Sequence, residues 1–326
     1  MRRLLTPLLL TGLLLAAPPA HAANPWLERR VLDLAHQGGE KEAPSSTMYA
    51  FKRAVKRGAD MLELDVHGSA DGRLMVVHDA TVDRTTNGSG RVGDLTARAI
   101  QRLDAAHWFV RGRNAVRGEP RAAYSFRGVR TGKREPPGRY RPSDFRIPTL
   151  EKVLRTFPNV PVNIEIKGNA DSDQASFDRN ATLLARSLNR HALPRADELI
   201  VVSFNQFAVD RFHRLAPAFG VAPGVVGVAG FTATGLAPPG TVALQVPLEL
   251  SGIPVATADF VRRAHASGYA VHVFTSGDDE ETPAVYRELV RRCVDGVMTS
   301  FPARFERFLE RDGVAGPGRA DGRDPC

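Results

Sequence analysis

Residues 61–68, Met-Leu-Glu-Leu-Asp-Val-His-Gly, alternate apolar and ionisable side chains. In an extended chain, residues two apart share a face. Glu63, Asp65 and His67 therefore point one way, and Leu62, Leu64 and Val66 the other. The pattern returns in Val162–Lys167, where Asn163, Glu165 and Lys167 share a face opposite Val162, Ile164 and Ile166. Carboxylates on a strand covered on both sides are costly unless paired or bound to a cation. Glu-x-Asp on one strand could be a salt-bridged core pair. Its recurrence on a second strand points instead to one shared cluster of Glu63, Asp65 and Glu165. With oxygen ligands and no cysteine at hand, that cluster suits one hard divalent cation, Ca2+ or Mg2+.

Two histidines close apolar runs on either side of this strand. His36 ends Arg30-Val-Leu-Asp-Leu-Ala and is followed by Gln37-Gly38-Gly39, while His78 ends Leu74-Met-Val-Val and precedes Asp79. Imidazole titrates near neutrality, so His36 and His78 can serve as an acid and base pair. His67 shares the carboxylate face and is a weaker candidate. His107, His191, His213 and His265 read as surface or packing residues, and His272 is undecided.

Strand-like and helix-like runs alternate about eight times along the chain. The run Ser45–Gly58, for example, reads as a helix with Ser45 or Ser46 as N-cap and Gly58 as stop. Such alternation predicts an α/β fold with a parallel sheet and helices outside. At this length a (β/α)8 TIM barrel is the leading choice, with strand ends at the mouth. An open doubly wound sheet is the alternative, weakened because no Gly-x-Gly-x-x-Gly follows an early strand. One segment breaks the rhythm after the second strand region. Residues of about 106–145 are rich in Arg, Gly and Pro, and so read as an insertion, either a solvated excursion or a basic lid.

The ends carry other signals. Residues 1–22 hold Arg2 and Arg3, a leucine-rich run and Ala20-His21-Ala22, the order of a cleavable secretory signal peptide. The expectation is cleavage after Ala22 and a secreted, periplasmic or cell-envelope location. Residues 23–312 form the expected barrel domain and 313–326 an expected disordered tail. The formal net charge of +8 admits peripheral contact with an anionic membrane surface. Nucleic acid is disfavoured, because no basic run is interleaved with aromatics. Export permits Cys293 and Cys326 to pair, but a pair of free thiols is equally compatible.

The stretch from Ala35-His36-Gln37-Gly38-Gly39 through Gly58-Ala59-Asp60, Glu63-x-Asp65, Asp71-Gly72, His78-Asp79 and Arg84-Thr85-Thr86 resembles the glycerophosphodiester phosphodiesterase family. The likeness continues with Glu165-x-Lys167 and Cys293-Val-Asp-Gly-Val-Met-Thr-Ser-Phe-Pro302. The resemblance implies a metal-dependent TIM-barrel enzyme that converts small glycerophosphodiesters to sn-glycerol 3-phosphate and an alcohol. It implies that Glu63, Asp65 and Glu165 hold the metal and that His36 and His78 are catalytic. Gln37 and Lys167 would meet the substrate, and no obligate protein partner is implied. Departures surround this core. Gln37 replaces the family's Arg, so a cationic phosphate contact is missing unless Lys41 or an insertion arginine compensates. Ser45-Ser46 replace Glu-Asn, and Ser300 stands where Asp is common. Two further functions stay open: a phospholipase acting on lysophospholipid or sphingomyelin, marked by an apolar surface around the mouth, and a non-catalytic protein that binds headgroups.

Overall fold

The computed structural model describes residues 24–317, 319, 322–324 and 326. The leader and its cleavage point after Ala22 lie outside the described residues. Eight parallel strands form the central sheet: β1 Leu32–Ala35, β2 Met61–Gly68, β3 Val162–Ile166, β4 Leu199–Val202, β5 Gly220–Ala222, β6 Ala243–Pro247, β7 Ala270–Phe274 and β8 Gly296–Thr299. They run in the order β5-β4-β3-β2-β1-β8-β7-β6. The ring is nearly closed, with the parallel bridge Val221–Thr241 joining its two ends. Eight principal helices lie outside: α1 Met48–Lys56, α2 Leu150–Thr156, α3 Gln174–His191, α4 Gln206–Leu215, α5 Val225–Thr234, α6 Ala258–Ala266, α7 Pro283–Arg291 and α8 Pro302–Asp312. The expected (β/α)8 barrel is therefore present. No described helix is long and apolar enough to cross a membrane.

All eight residues of β2 are buried, as a strand between a barrel interior and a helix layer must be. Leu62, Leu64 and Val66 pack outward with Ile164, Ile166, Phe51 and Leu184. Each such side chain contributes roughly 1.5–3 kcal/mol on burial. That outward packing fixes which face Glu63 and Asp65 present to the interior. Inside, Trp26, Leu32, Leu34, Ile200 and Met298 belong to one apolar cluster. A polar group holds the middle, where Asn163 and Gln245 exchange hydrogen bonds and the buried His272 lies beside Gln245. Burial pushes the His272 imidazole down to about 4, so this histidine is a neutral structural residue.

Three local features differ from the sequence expectations. Thr47, not Ser45 or Ser46, caps α1, its hydroxyl accepting the Ala50 N–H at 3.1 Å; Ser46 has φ +55° and belongs to the preceding turn. The run before His78 is a strand as expected, Leu74–Val76, but it pairs antiparallel to β2 and stands outside the parallel ring. The insertion is a packed unit: Phe109, Phe126, Val129 and Phe145 share a core with Tyr49 and Ala50 of α1, and the Tyr49 and Phe145 rings stack at 4.6 Å. It also touches both histidine-bearing loops, through Gly112 N–H to Lys41 O (2.7 Å) and Trp108 Nε1 to Thr86 O (2.8 Å).

The C-terminal segment also departs from expectation. Its described residues are held to the barrel's lower end rather than free. Cys293 and Cys326 form a disulfide, and Val314 bridges Arg323. Arg319 reaches Glu306 at 2.9 Å and Asp60 at 3.2 Å. The reason is electrostatic. Asp33 and Glu306 are buried beside the largely covered side chain of Asp60, and burial pushes Asp60 to about 6 and Glu306 to about 7. Arg319 is the cation that offsets them.

Candidate active site

The register between β2 and β3 pairs Glu63 with Asn163 and Asp65 with Glu165. Two interior carboxylates thus become lateral neighbours, and Glu63 lies one interior position below. One oxygen of each of Glu63, Asp65 and Glu165 lies within 4.8 Å of the others. Lys167, just past β3, places Nζ 2.8 Å from Glu165 Oε1 and 3.2 Å from Asp65 Oδ1. An ammonium can itself satisfy an acidic cluster, and this one does so at one edge, where it pairs with two of the three groups.

The remaining charge shows whether a cation fits as well. A single ammonium offsets one of three carboxylates. Of the fully buried Asp65, Oδ1 faces the Lys167 ammonium, while Oδ2 has no hydrogen-bond partner. Burial and the neighbouring Asp65 push the Glu63 carboxyl up to about 8, although His36 and the Gln37 N–H pull it down. Burial would raise Asp65 too, but Lys167, His78 and His36 hold it below its usual range. Three carboxyl groups crowded within 4.8 Å, one of them pushed upward by burial and that crowding, and an unpartnered buried Asp65 oxygen are what a divalent cation would relieve. The residues present fit the group.

His36 opens a tight turn. Gln37, Gly38 and Gly39 all have positive φ, at 49°, 79° and 84°. A Cβ at Gly38 would come within 2.9 Å of Ala50 Cβ, so the turn needs glycine there both for conformation and for room. The turn aims the Gln37 N–H at Glu63 Oε2, 2.8 Å away. His36 Nδ1 bonds Glu40 Oε1 at 2.8 Å, and its Nε2 lies 3.9 Å from Glu63 Oε2. Burial alone would lower the imidazole, but Glu40, Glu63 and Asp65 raise it to about 10. Gln37 is buried; its Nε2 sits 3.4 Å from His36 Nε2 and its Oε1 has no partner.

His78 arrives by a route that reasoning from strand ends does not give. It is not at the upper end of a parallel strand. The short antiparallel strand runs back down along β2, and Val77 N–H donates to Asp65 O at 3.0 Å, which sets the next residue at the level of the carboxylates. His78 Nδ1 bonds Asp79 Oδ1 at 2.8 Å, and Arg84 clamps Asp79 with two bonds of 2.7 and 2.9 Å. Partial burial works against the Asp79 carboxylate, but His78 and Arg84 hold its pKa far below the usual range. Both histidines thus have Nδ1 occupied by a carboxylate, leaving Nε2 for other chemistry. His67 is directed elsewhere, its Nε2 3.2 Å from the His78 carbonyl.

The sequence-derived candidates Glu63, Asp65, Glu165, His36, His78, Gln37 and Lys167 are therefore neighbours at one end of the barrel. Lys41 does not stand in for the missing arginine, because it pairs with Asp278. Among the described residues no insertion arginine bonds to the carboxylate cluster. Sequence reasoning missed Glu40. Its only signal was a carboxylate four residues beyond His36 in a glycine turn.

Residues 36–304 match the model of the glycerophosphoryl diester phosphodiesterase family. A glycerophosphodiester phosphodiesterase of Caldanaerobacter subterraneus subsp. tengcongensis is 28% identical over 292 residues, covering 87% of this chain and 100% of that protein. One from Bacillus subtilis is 27% identical, covering 85% and 86%. The crystal structure of an Agrobacterium tumefaciens glycerophosphodiester phosphodiesterase superposes with a TM-score of 0.59 at 25% identity, over 85% of this chain and 99% of that one. An Oleispira antarctica phosphodiesterase in complex with the product sn-glycerol-3-phosphate has a TM-score of 0.63 at 21% identity, over 86% and 96%.

Proposed function

This chain belongs to the glycerophosphoryl diester phosphodiesterase family, and we propose that it is an exported, divalent-cation-dependent enzyme that hydrolyses glycerophosphodiesters to sn-glycerol 3-phosphate and an alcohol. The observation that carries this reading is the convergence of Glu63, Asp65 and Glu165 with two histidines, each held at Nδ1 by a carboxylate. Export rests on the leader pattern of residues 1–22 and is compatible with the disulfide.

Glu63, Asp65 and Glu165 would hold Ca2+ or Mg2+; bound there, the ion would withdraw charge from a phosphoryl oxygen. The chain's own groups do the proton work. Of His36 and His78, one takes the proton of the glycerol hydroxyl as that oxygen attacks phosphorus. The other protonates the departing alcohol oxygen. The roles then reverse as water opens the cyclic phosphate. Lys167 supplies a fixed positive charge beside the cluster, and Gln37 offers a neutral amide to the phosphate. With no guanidinium at position 37, ground-state phosphate binding rests more heavily on Lys167.

The test is product identification. The mature protein, incubated with glycerophosphocholine and Ca2+, Mg2+ or Mn2+ in turn, should release glycerol 3-phosphate and choline, and excess chelator should stop it. Ligand binding without turnover under every metal would make the protein a headgroup binder instead.

A further inference from the structure

We infer that Glu40, Ser300 and Glu281 form a positioning relay that sets the His36 imidazole across the seam between β1 and β8. The inference rests on the phosphodiesterase reading and adds positioning residues to the same site. The β1–β8 register pairs Ala35 with Thr299. The next residue of each strand, His36 and Ser300, therefore leaves the barrel at one level. The positive-φ turn at Gln37–Gly39 then folds the chain back, and the Lys41 N–H reaches the Ser300 carbonyl at 3.3 Å. This sets Glu40 between the two. Its buried Oε1 accepts His36 Nδ1–H at 2.8 Å and the Ser300 hydroxyl at 2.7 Å.

Glu281, in the loop between β7 and α7, fixes the Ser300 side of this relay. It is 1% exposed, and four donors fill both its oxygens. Oε1 accepts the Ser300 N–H at 2.7 Å and the Thr275 hydroxyl at 2.9 Å; Oε2 accepts the Tyr286 and Thr299 hydroxyls, each at 2.5 Å. The Thr299–Ser300 backbone is thereby held, and with it the origin of the Ser300 hydroxyl. Glu40 is solvated quite differently. Its Oε2 is buried without a hydrogen-bond partner, and among the described residues no lysine or arginine pairs with it. Asp79, the carboxylate behind His78, has Arg84 as well. A buried carboxylate with an orphaned oxygen weakens the fold, so Glu40 is ill suited to a purely structural role. Its charge is aimed at the imidazole. A carboxylate that accepts there keeps a proton on Nδ1 and leaves Nε2 to exchange one with a substrate oxygen. Ser300, bonded to the same Oε1, keeps that carboxylate from turning away.

Ser300 is also one of the chain's departures from the family pattern, which commonly has Asp there. Here the carboxylate stands on the His36 turn and the hydroxyl at the end of β8. Glu40→Ser combined with Ser300→Asp reverses that arrangement across the same hydrogen bond. Ser300→Asp alone would instead set two buried carboxylates against each other.

The experiment measures melting temperature, kcat and KM for glycerophosphocholine, with the divalent cation that supports turnover. Glu40→Gln should lower kcat by about 10²- to 10⁴-fold and leave KM within about twofold, as for a group that acts through His36. Ser300→Ala should lower kcat about two- to tenfold beside Glu40, and not further once Glu40 is replaced by Gln. Glu281→Gln should melt lower, yet its loss of kcat should likewise vanish in the Glu40→Gln background. The exchanged pair should regain about tenfold in kcat over Glu40→Ser alone. An unchanged kcat in Glu40→Gln, a loss carried by KM, a Ser300→Ala effect that persists in the Glu40→Gln background, or no recovery in the exchanged pair at matched melting temperature would each overturn the relay. Should Glu40→Gln fail to fold, Ser300→Ala decides alone: an unchanged kcat there overturns it. A wild type inactive on every diester would sink the phosphodiesterase reading, and the relay with it.

Discussion

His78→Ala lowers kcat/KM for glycerophosphocholine by about 10²- to 10⁴-fold, the range expected when a positioned proton-transfer group is lost. The melting temperature should change little. The reason is local: Asp79 keeps both bonds to Arg84 when the imidazole goes, and His78 is only partly buried. His36→Ala should lose activity to the same degree, but at a structural cost. It strips the buried Glu40 of its charged partner and leaves the Ser300 hydroxyl as the remaining donor. Leaving a buried carboxylate without its cation costs roughly 3 kcal/mol or more, so this variant should also melt several degrees lower. The pair of measurements separates the catalytic from the stabilising contribution. Wild-type turnover in either variant would remove that histidine from the mechanism.

The contrast between the two histidines shows what the sequence could and could not convey. Alternation alone put Glu63 and Asp65 on one face, since outward Leu62, Leu64 and Val66 leave no other choice for a strand buried on both sides. It did not give the β2–β3 register, which makes Asp65 and Glu165 neighbours; register is a contact between segments far apart in the chain. His78 looked like a strand-end residue. Its level is set by an antiparallel strand that hydrogen-bonds back to Asp65. Glu40 was invisible because its second partner, Ser300, is 260 residues away. The C-terminal segment misled for a related reason. Its Gly, Asp and Arg content reads as a solvated tail, yet Arg319 answers a charge problem posed jointly by Asp33 in β1, Asp60 in the loop before β2 and Glu306 in α8. Alternation oriented the strand side chains, whereas strand pairing set the level of Asp65, Glu165 and His78, and contacts between distant charged and polar groups set the partners of Glu40 and Arg319.

Asp65→Asn should abolish turnover, with a loss of roughly 10³-fold or more, and it should change stability in opposite directions with and without divalent cation. In chelator, the wild-type cluster crowds three acidic groups around one ammonium, and Glu63 already sits near 8 because Asp65 and burial oppose its charge. Removing one negative charge relieves that repulsion, so the apo variant should melt at or above the apo wild type. With Ca2+ or Mg2+ at about 100 times its Kd, the wild type should gain about 2.7 kcal/mol by mass action. The variant, lacking one charged ligand, should gain little of this. The activity loss follows from the same deficit, because a Lewis acid at phosphorus contributes several kcal/mol to the transition state and each 1.36 kcal/mol is about a factor of ten in rate. Lys167→Met closes the argument. If Lys167 were the sole intended occupant of the pocket, its loss would destabilise the fold and no metal would rescue it. If the pocket is built for a divalent ion beside Lys167, added Ca2+ or Mg2+ should restore most of the melting temperature while catalysis stays impaired for want of the ammonium at the phosphate. A melting temperature of the wild-type protein that does not respond to any divalent cation would decide for the lysine-filled pocket and against the metal-dependent hydrolase.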